Sequence, residues 1–266
     1  MVASLWKNIL LVRKKSPLVH NITNFVVMNN TANALLAVGA SPIMAHAHAE
    51  IDEMTSLCAS LVINIGTLDE YWVEAMCKAA KKANQASKPF ILDPVGAGAT
   101  HFRDSTLSKL VDLKPTVIRA NASEILALAK FNKTKTKGVD STAHSSEAIE
   151  AAKVLNETFG AVICISGETD IVVSGERQIQ VKNGSPLMTK VTGLGCSATA
   201  IIGAFIAVIE DKTEAVLAAT ALMAIAGEIA AKEAKGPGSL QVLLLDKLYN
   251  ITEAEFTQHC NIERVS

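Results

Sequence analysis

The stretch Pro89-Phe90-Ile91-Leu92-Asp93-Pro94-Val95-Gly96-Ala97-Gly98 joins an unbroken apolar run to a turn of proline and glycine. A strand covered on both faces reads this way, with no polar alternation. Similar short runs stand at 41–44, 61–65, 116–119 and 161–165, and further strand candidates at 171–174 and 178–182. Helical spacing fills the intervals, at 5–14, 25–38, 51–58, 69–86, 105–113, 123–130, 145–157, 196–209, 213–235 and 239–248. Strands alternating with helices predict an α/β protein with a mostly parallel central sheet and helices on both faces. The pair of runs flanking Gly175-Glu176 predicts a hairpin, and so an antiparallel edge. No linker divides the chain, which reads as a single domain, 1–266. The Lys- and Thr-rich stretch 131–146 reads as a surface loop or lid.

Composition sets limits on function. The 266 residues are 49% hydrophobic and only 4% aromatic, so the core is aliphatic. A net charge of −1 gives no electrostatic reason to expect nucleic acid or an anionic membrane as partner. Mean hydropathy is high, +0.28. No uninterrupted apolar run reaches the ~18 residues of a membrane span, so a covered sheet or surface buried between subunits explains the value. Lys7 interrupts the early apolar stretch and Arg13-Lys14-Lys15 follow it, unlike a secretory signal. The odd cysteine count (Cys58, Cys77, Cys164, Cys196, Cys260) has no metal or disulfide spacing and fits a reducing cytoplasm.

In open parallel sheets, ligands bind at the carboxyl ends of the strands. Polar residues follow several runs here: Asp93, then Arg119-Ala120-Asn121-Ala122-Ser123-Glu124, then Ser166-Gly167, then Gly66-Thr67, with Met44 ending another. Asp93 serves either as a ligand for Mg²⁺, directly or through water, or as a turn residue before proline. Asn121 and Glu124 fit a helix cap whose carboxylate reaches back to free N–H groups; Glu124 equally fits a second carboxylate for metal-bound phosphates. Arg119 at a buried strand end needs an anionic partner, either phosphate or Glu124.

Val191-Thr192-Gly193-Leu194-Gly195-Cys196-Ser197-Ala198 bends into a long run of small apolar residues. A helix start leaves N–H groups unpaired and carries partial positive charge, and glycines let a ligand approach the backbone. The stretch therefore reads as an anion cradle with Cys196 at its lip. A helix N-terminus lowers a thiol pKa, which predicts a thiolate accessible near neutral pH. The amide-rich His20-Asn21-Ile22-Thr23-Asn24 is read as opening the helix at 25–38, with Asn24 or Thr23 as cap. His46 and His48 find no third ligand nearby and predict no metal site.

Together these motifs resemble the hydroxyethylthiazole kinases, thiamine-salvage enzymes of the ribokinase-like superfamily. The resemblance runs from about Ser16 to Gly238 through Pro17-Leu18-Val19-His20-Asn21-Ile22-Thr23-Asn24, Ala40-Ser41-Pro42-Ile43-Met44, Asn64-Ile65-Gly66-Thr67-Leu68, Asp93 to Ala99, Arg119 to Glu124 and Gly193-Leu194-Gly195-Cys196. It implies a ribokinase-like three-layer sandwich. It implies transfer of the γ-phosphoryl of ATP, with Mg²⁺, to the hydroxyl of 4-methyl-5-(2-hydroxyethyl)thiazole. It assigns Met44 and Gly193 to the thiazole alcohol, Arg119 and Ser166 to ATP, Asp93 and Glu124 to the metal, and Cys196 to catalysis. It also implies a homotrimer with sites at subunit boundaries. Leu194 departs from the small polar residue common between the two glycines. Three other activities compete: a cysteine-dependent hydrolase or transferase, an ATP-dependent nucleotide-repair lyase of similar fold, and a ligand sensor without turnover.

Overall fold

The computed structural model describes residues 1–131 and 144–265. Nine strands form one sheet: β1 (Leu18–Ile22), β2 (Ser41–Met44), β3 (Ser60–Asn64), β4 (Phe90–Asp93), β5 (Val117–Asn121), β6 (Val162–Ser166), β7 (Asp170–Ser174), β8 (Arg177–Val181) and β9 (Ile262–Arg264), in the order β2-β1-β3-β4-β5-β6-β7-β8-β9. The first six run parallel. β7, β8 and β9 pair antiparallel at the far edge.

Alternate side chains of each strand point to opposite faces, so each strand feeds two cores. Val19, Val62, Ile91 and Val117 pack beneath α1 (Val2–Lys15), α2 (Met28–Ala37), α8 (Leu194–Val208), α9 (Lys212–Glu233) and α10 (Pro237–Asn250). Leu61, Ile63, Leu92 and Ile118 face α3 (Ile51–Leu57), α4 (Glu70–Gln85), α5 (His101–Val111), α6 (Ala122–Phe131) and α7 (His144–Phe159). This is the three-layer α/β sandwich expected. A Cβ on Gly203 of α8 would stand 2.5 Å from Val62 Cγ2, so glycine lets α8 press directly onto β3. The helix α9 is long and apolar enough to cross a membrane by composition, yet 83% of its most apolar window is buried inside the protein. It is a core helix.

The expected strands and hairpin are present, with boundaries shifted by one or two residues. One reading is corrected. Residues 20–24 do not open a helix: Leu18–Ile22 is the strand β1, inserted between β2 and β3, and α2 begins only at Met28 after a turn. Its polar centre is satisfied in part: Asn21 Nδ2 donates to the Val19 carbonyl at 2.9 Å while Asn21 Oδ1 is buried without a partner among the described residues, and His20 is bonded at both ring nitrogens. His20 Nε2 lies 2.7 Å from the Ala45 carbonyl and Nδ1 lies 3.1 Å from Thr55 Oγ1. Burial lowers the His20 pKa, and the neutral ring suits this pair of contacts. Two elements near the end were not expected, α11 (Glu253–His259) and β9. Of the stretch read as a loop or lid, residues 132–143 lie outside the described residues, and its ends belong to α6 and α7.

Candidate active site

Parallel pairing aligns the carboxyl ends of β1 to β6 on one rim. Asn64 stands in register with Asp93, and Asn121 with Ser166. Met44 ends the edge strand β2 opposite Asn21. The rim thus carries Met44 towards one side, Asp93 at the centre, and Arg119 and Ser166 beyond it.

The α8 N-terminus meets this rim. Gly193 is its N-cap, with φ +82°, a left-handed conformation natural to glycine. A Cβ there would lie 2.5 Å from Val27 Cγ1. The first helical bond joins Ser197 N–H to the Gly193 carbonyl at 2.9 Å, so the amides of Leu194, Gly195 and Cys196 stand outside the helical ladder. The Arg119 guanidinium packs against this turn, with Nη1 3.2 Å from where a Gly195 Cβ would be. An anion held there meets amide donors and a cation together. Burial opposes the Arg119 charge, but Asp93, Cys164, Asp170 and Cys196 outweigh it and leave its pKa raised.

Asp93 is buried, 3% exposed. Asn64 Nδ2 donates to its Oδ2 at 2.7 Å, and Thr199 Oγ1 donates to the same oxygen at 2.8 Å. Burial pushes the Asp93 pKa up to about 6 against the pull of Arg119 and these two donors. Glu124 is held differently. Its Oε1 accepts from Gly96 N–H at 2.9 Å and its Oε2 from Asn121 N–H at 3.0 Å, while Glu124 N–H donates to Asn121 Oδ1 at 3.0 Å. This reciprocal cap is one of the two arrangements anticipated for Asn121 and Glu124.

Cys196 overturns one expectation. The helix start was read as lowering its pKa, yet the thiol is pushed up. Burial is the main cause and the Asp93 charge the next; hydrogen bonds from Asn64 and Asn24 and the Arg119 charge oppose them less strongly. Asn24 Nδ2 lies 3.6 Å from the sulfur. In the free protein the thiol is neutral near pH 7.

Beyond Arg119 lies a cleft of about 780 Å³, lined among others by Ser166, Asp170, Gly184, Pro186, Met188, Gly195 and Met223. Its volume suits a nucleotide-sized ligand. Asp170 accepts from Gly167 N–H at 3.0 Å and faces Arg119. Three residues of the rim were missed by the sequence reading: Asn64, Thr199 and Arg103. Arg103 donates to the carbonyls of Ile65, Val95 and Gly66 at 2.5, 2.7 and 2.9 Å, tying the loops after β3 and β4 together. Asn64 leaves a signal, since it is the one polar residue in the apolar run 61–65. Thr199 and Arg103 leave none.

Comparison with known proteins bears on the chain as a whole. Residues 9–254 match the model of the "Hydroxyethylthiazole kinase family". The chain is 52% identical to a hydroxyethylthiazole kinase of Syntrophus aciditrophicus over 97% of this chain and 96% of that one. It is 54% identical to one of Leptospira biflexa over 94% of each. A solved hydroxyethylthiazole kinase protein of Pyrococcus horikoshii OT3 superposes with a TM-score of 0.92 at 42% identity, covering 99% of this chain and all of that one. A ribokinase-like superfamily protein of Enterococcus faecalis V583 shares the fold alone, with a TM-score of 0.66 at 13% identity. By sequence and by fold, the chain belongs to the hydroxyethylthiazole kinase family.

Proposed function

We propose that this protein transfers the γ-phosphoryl group of ATP to the hydroxyl of 4-methyl-5-(2-hydroxyethyl)thiazole. The observation that carries the reading is the glycine turn at the start of α8, packed on Arg119 at the rim that holds Asp93. Phosphoryl transfer asks chiefly for positioning and for stabilisation of charge on the moving group. The amides of Leu194, Gly195 and Cys196 and the α8 dipole receive the terminal phosphate. Arg119 offsets its charge, and Ser166 with the cleft beyond it receives the rest of the nucleotide. Met44 and Gly193 border the thiazole alcohol.

The donor set fits Mg²⁺ in a limited way. No group of three His, Cys, Asp or Glu side chains that could cage a metal occurs among the described residues. Both hydrogen bonds to Asp93 fall on Oδ2, so Oδ1 carries neither. That suits an ion brought in by the nucleotide and keeping most of its water, as Mg²⁺ does. Asp93 and Glu124 are the residues that would hold it, and it supplies neutralisation of phosphate charge. Cys196 stands beside the reacting hydroxyl as a neutral thiol and orients it.

His20, one candidate base for a competing thiol hydrolase, is spent on Ala45 and Thr55. A homotrimer accounts for Phe25 and Val26, which stand 62% and 61% exposed in the turn before α2. A cytoplasmic setting accords with the five free cysteines. Mass spectrometry of a reaction containing ATP, Mg²⁺ and a panel of small heterocyclic alcohols tests the reading. It predicts a phosphorylated thiazole alcohol and ADP; ATP hydrolysis without a phosphorylated alcohol contradicts it.

A further inference from the structure

Asn64 sits between Asp93 and Cys196, and the direction of each of its bonds is settled by backbone donors. Gly66 N–H donates to Asn64 Oδ1 at 2.9 Å, and Asn24 Nδ2 donates to the same oxygen at 2.7 Å. The amide nitrogen is therefore the end that faces Asp93 Oδ2, at 2.7 Å. Asn24 is fixed in turn, because Val26 N–H donates to its Oδ1 at 3.2 Å. That leaves the Asn24 amide nitrogen directed at both Asn64 and the Cys196 sulfur. Asn24, Asn64 and Asp93 are all nearly fully buried, at 4%, 1% and 3% exposure. A buried amide with both ends bonded cannot turn over without leaving donors or acceptors unpaired, which is costly.

We propose that Asn64 is a positioning residue for the phosphoryl transfer, setting the Asp93 carboxylate in one orientation and, through Asn24, the Cys196 sulfur beside it. The inference rests on the kinase reading above. Asn64 acts through Asp93: its N–H and the Thr199 hydroxyl occupy one carboxylate oxygen, which turns the other away from both. Asn64 is 1% exposed with both ends of its amide bonded inside the protein, so its loss acts on the chemical step rather than on binding of the alcohol.

The test compares wild type with Asn64→Ala, Thr199→Val and each change in an Asp93→Asn background. For Asn64→Ala, kcat falls about 30-fold or more while KM for the thiazole alcohol stays within about threefold. Calorimetry of the alcohol binding to the protein in EDTA, without nucleotide, gives a Kd within about threefold of wild type. In the Asp93→Asn background the further loss of kcat from Asn64→Ala is below about threefold, because the two act as a unit. Equal losses in both backgrounds, an unchanged kcat, or loss of alcohol binding in EDTA overturns the proposal. If Asn64→Ala does not fold, Thr199→Val carries the test, since it removes a donor to the same oxygen, along with its 3.2 Å contact to the Gly195 carbonyl within α8, and keeps the Gly66 bond to Asn64. Its kcat falls about 10-fold at constant KM, and an unchanged kcat overturns the proposal. Wild-type turnover keeps the two readings apart: no phosphorylated alcohol from wild type refutes the kinase, whereas turnover with an unaffected Asn64→Ala refutes only the positioning role.

Discussion

Asp93 and Glu124 follow neighbouring strands of one rim, yet the chain holds them by opposite means. Asp93 is buried and bonded to side chains, and its pKa is pushed up to about 6. Glu124 is bonded by backbone N–H groups and closes a cap on Asn121. Keeping a carboxylate in a dry place is unfavourable unless a cation arrives to meet it. Tying a carboxylate to backbone amides stabilises a loop and a helix start instead. The difference teaches that Asp93 is held in a dry site facing Arg119, where the proposed function has it meet charge brought by ligands, while Glu124 shapes the loop that surrounds it.

Replacing Asp93 gives the largest effect. Asp93→Asn lowers kcat by about 10³-fold or more, measured in steady state, because the charge facing the triphosphate site is lost. Its stability moves the other way. Between an ordinary carboxylate pKa of 3.8 and the folded value of about 6, the folded chain keeps a proton that the unfolded chain has released. Asp93 therefore favours folding at pH 4, and that contribution is lost as pH rises through 6. Urea unfolding in EDTA shows wild type losing on the order of 2–3 kcal/mol across this window relative to Asp93→Asn. A flat difference would mean that Asp93 is not held in a dry site.

Gly193→Ala comes next. Its Cβ meets Val27 and its φ is unfavourable to alanine, so the turn shifts; kcat falls about 10²-fold, and stability falls by about 1–3 kcal/mol in the same urea assay. Glu124→Gln sharpens the contrast with Asp93. Glutamine keeps only one of the two acceptors that Gly96 and Asn121 use, so stability falls by about 1 kcal/mol in the urea assay while kcat falls about 10-fold. A loss as large as that of Asp93→Asn would erase the distinction between the two carboxylates. Cys196→Ala is the smallest: a neutral thiol that only orients a proton costs about fivefold in kcat, well below the range of a full general base. Abolished turnover in Cys196→Ala would point to a covalent thiol.

The sequence carried the parallel core because β3, β4 and β6 are covered on both faces and read as aliphatic runs. It also carried the turn into α8, since two glycines before a small-residue run mark a bend at a helix start. It did not carry β1, where His20 and Asn21 break the apolar pattern; Ala45 and Thr55 reach the His20 ring from other segments, and Val19 accepts from Asn21 Nδ2 along the strand. Glu124 was legible only as a pair of alternatives, because a cap and a metal ligand use the same residue at the same spacing. The state of Cys196 was not legible. A helix start pulls a thiol pKa down, but burial and Asp93, distant in sequence, push harder. Thr199 and Arg103 act by reaching across to other strand ends, and no local pattern announces such contacts.

The account stands on the α8 turn receiving the terminal phosphate beside Asp93. A crystal structure with Mg²⁺ and a non-hydrolysable ATP analogue tests this most directly. The account predicts the γ-phosphate against the Gly195 and Cys196 amides, with Arg119 paired to the chain of phosphates and Ser166 on the side of the cleft that takes the nucleotide. A terminal phosphate beside Gly184 and Pro186, away from Asp93 and the glycine turn, would contradict it.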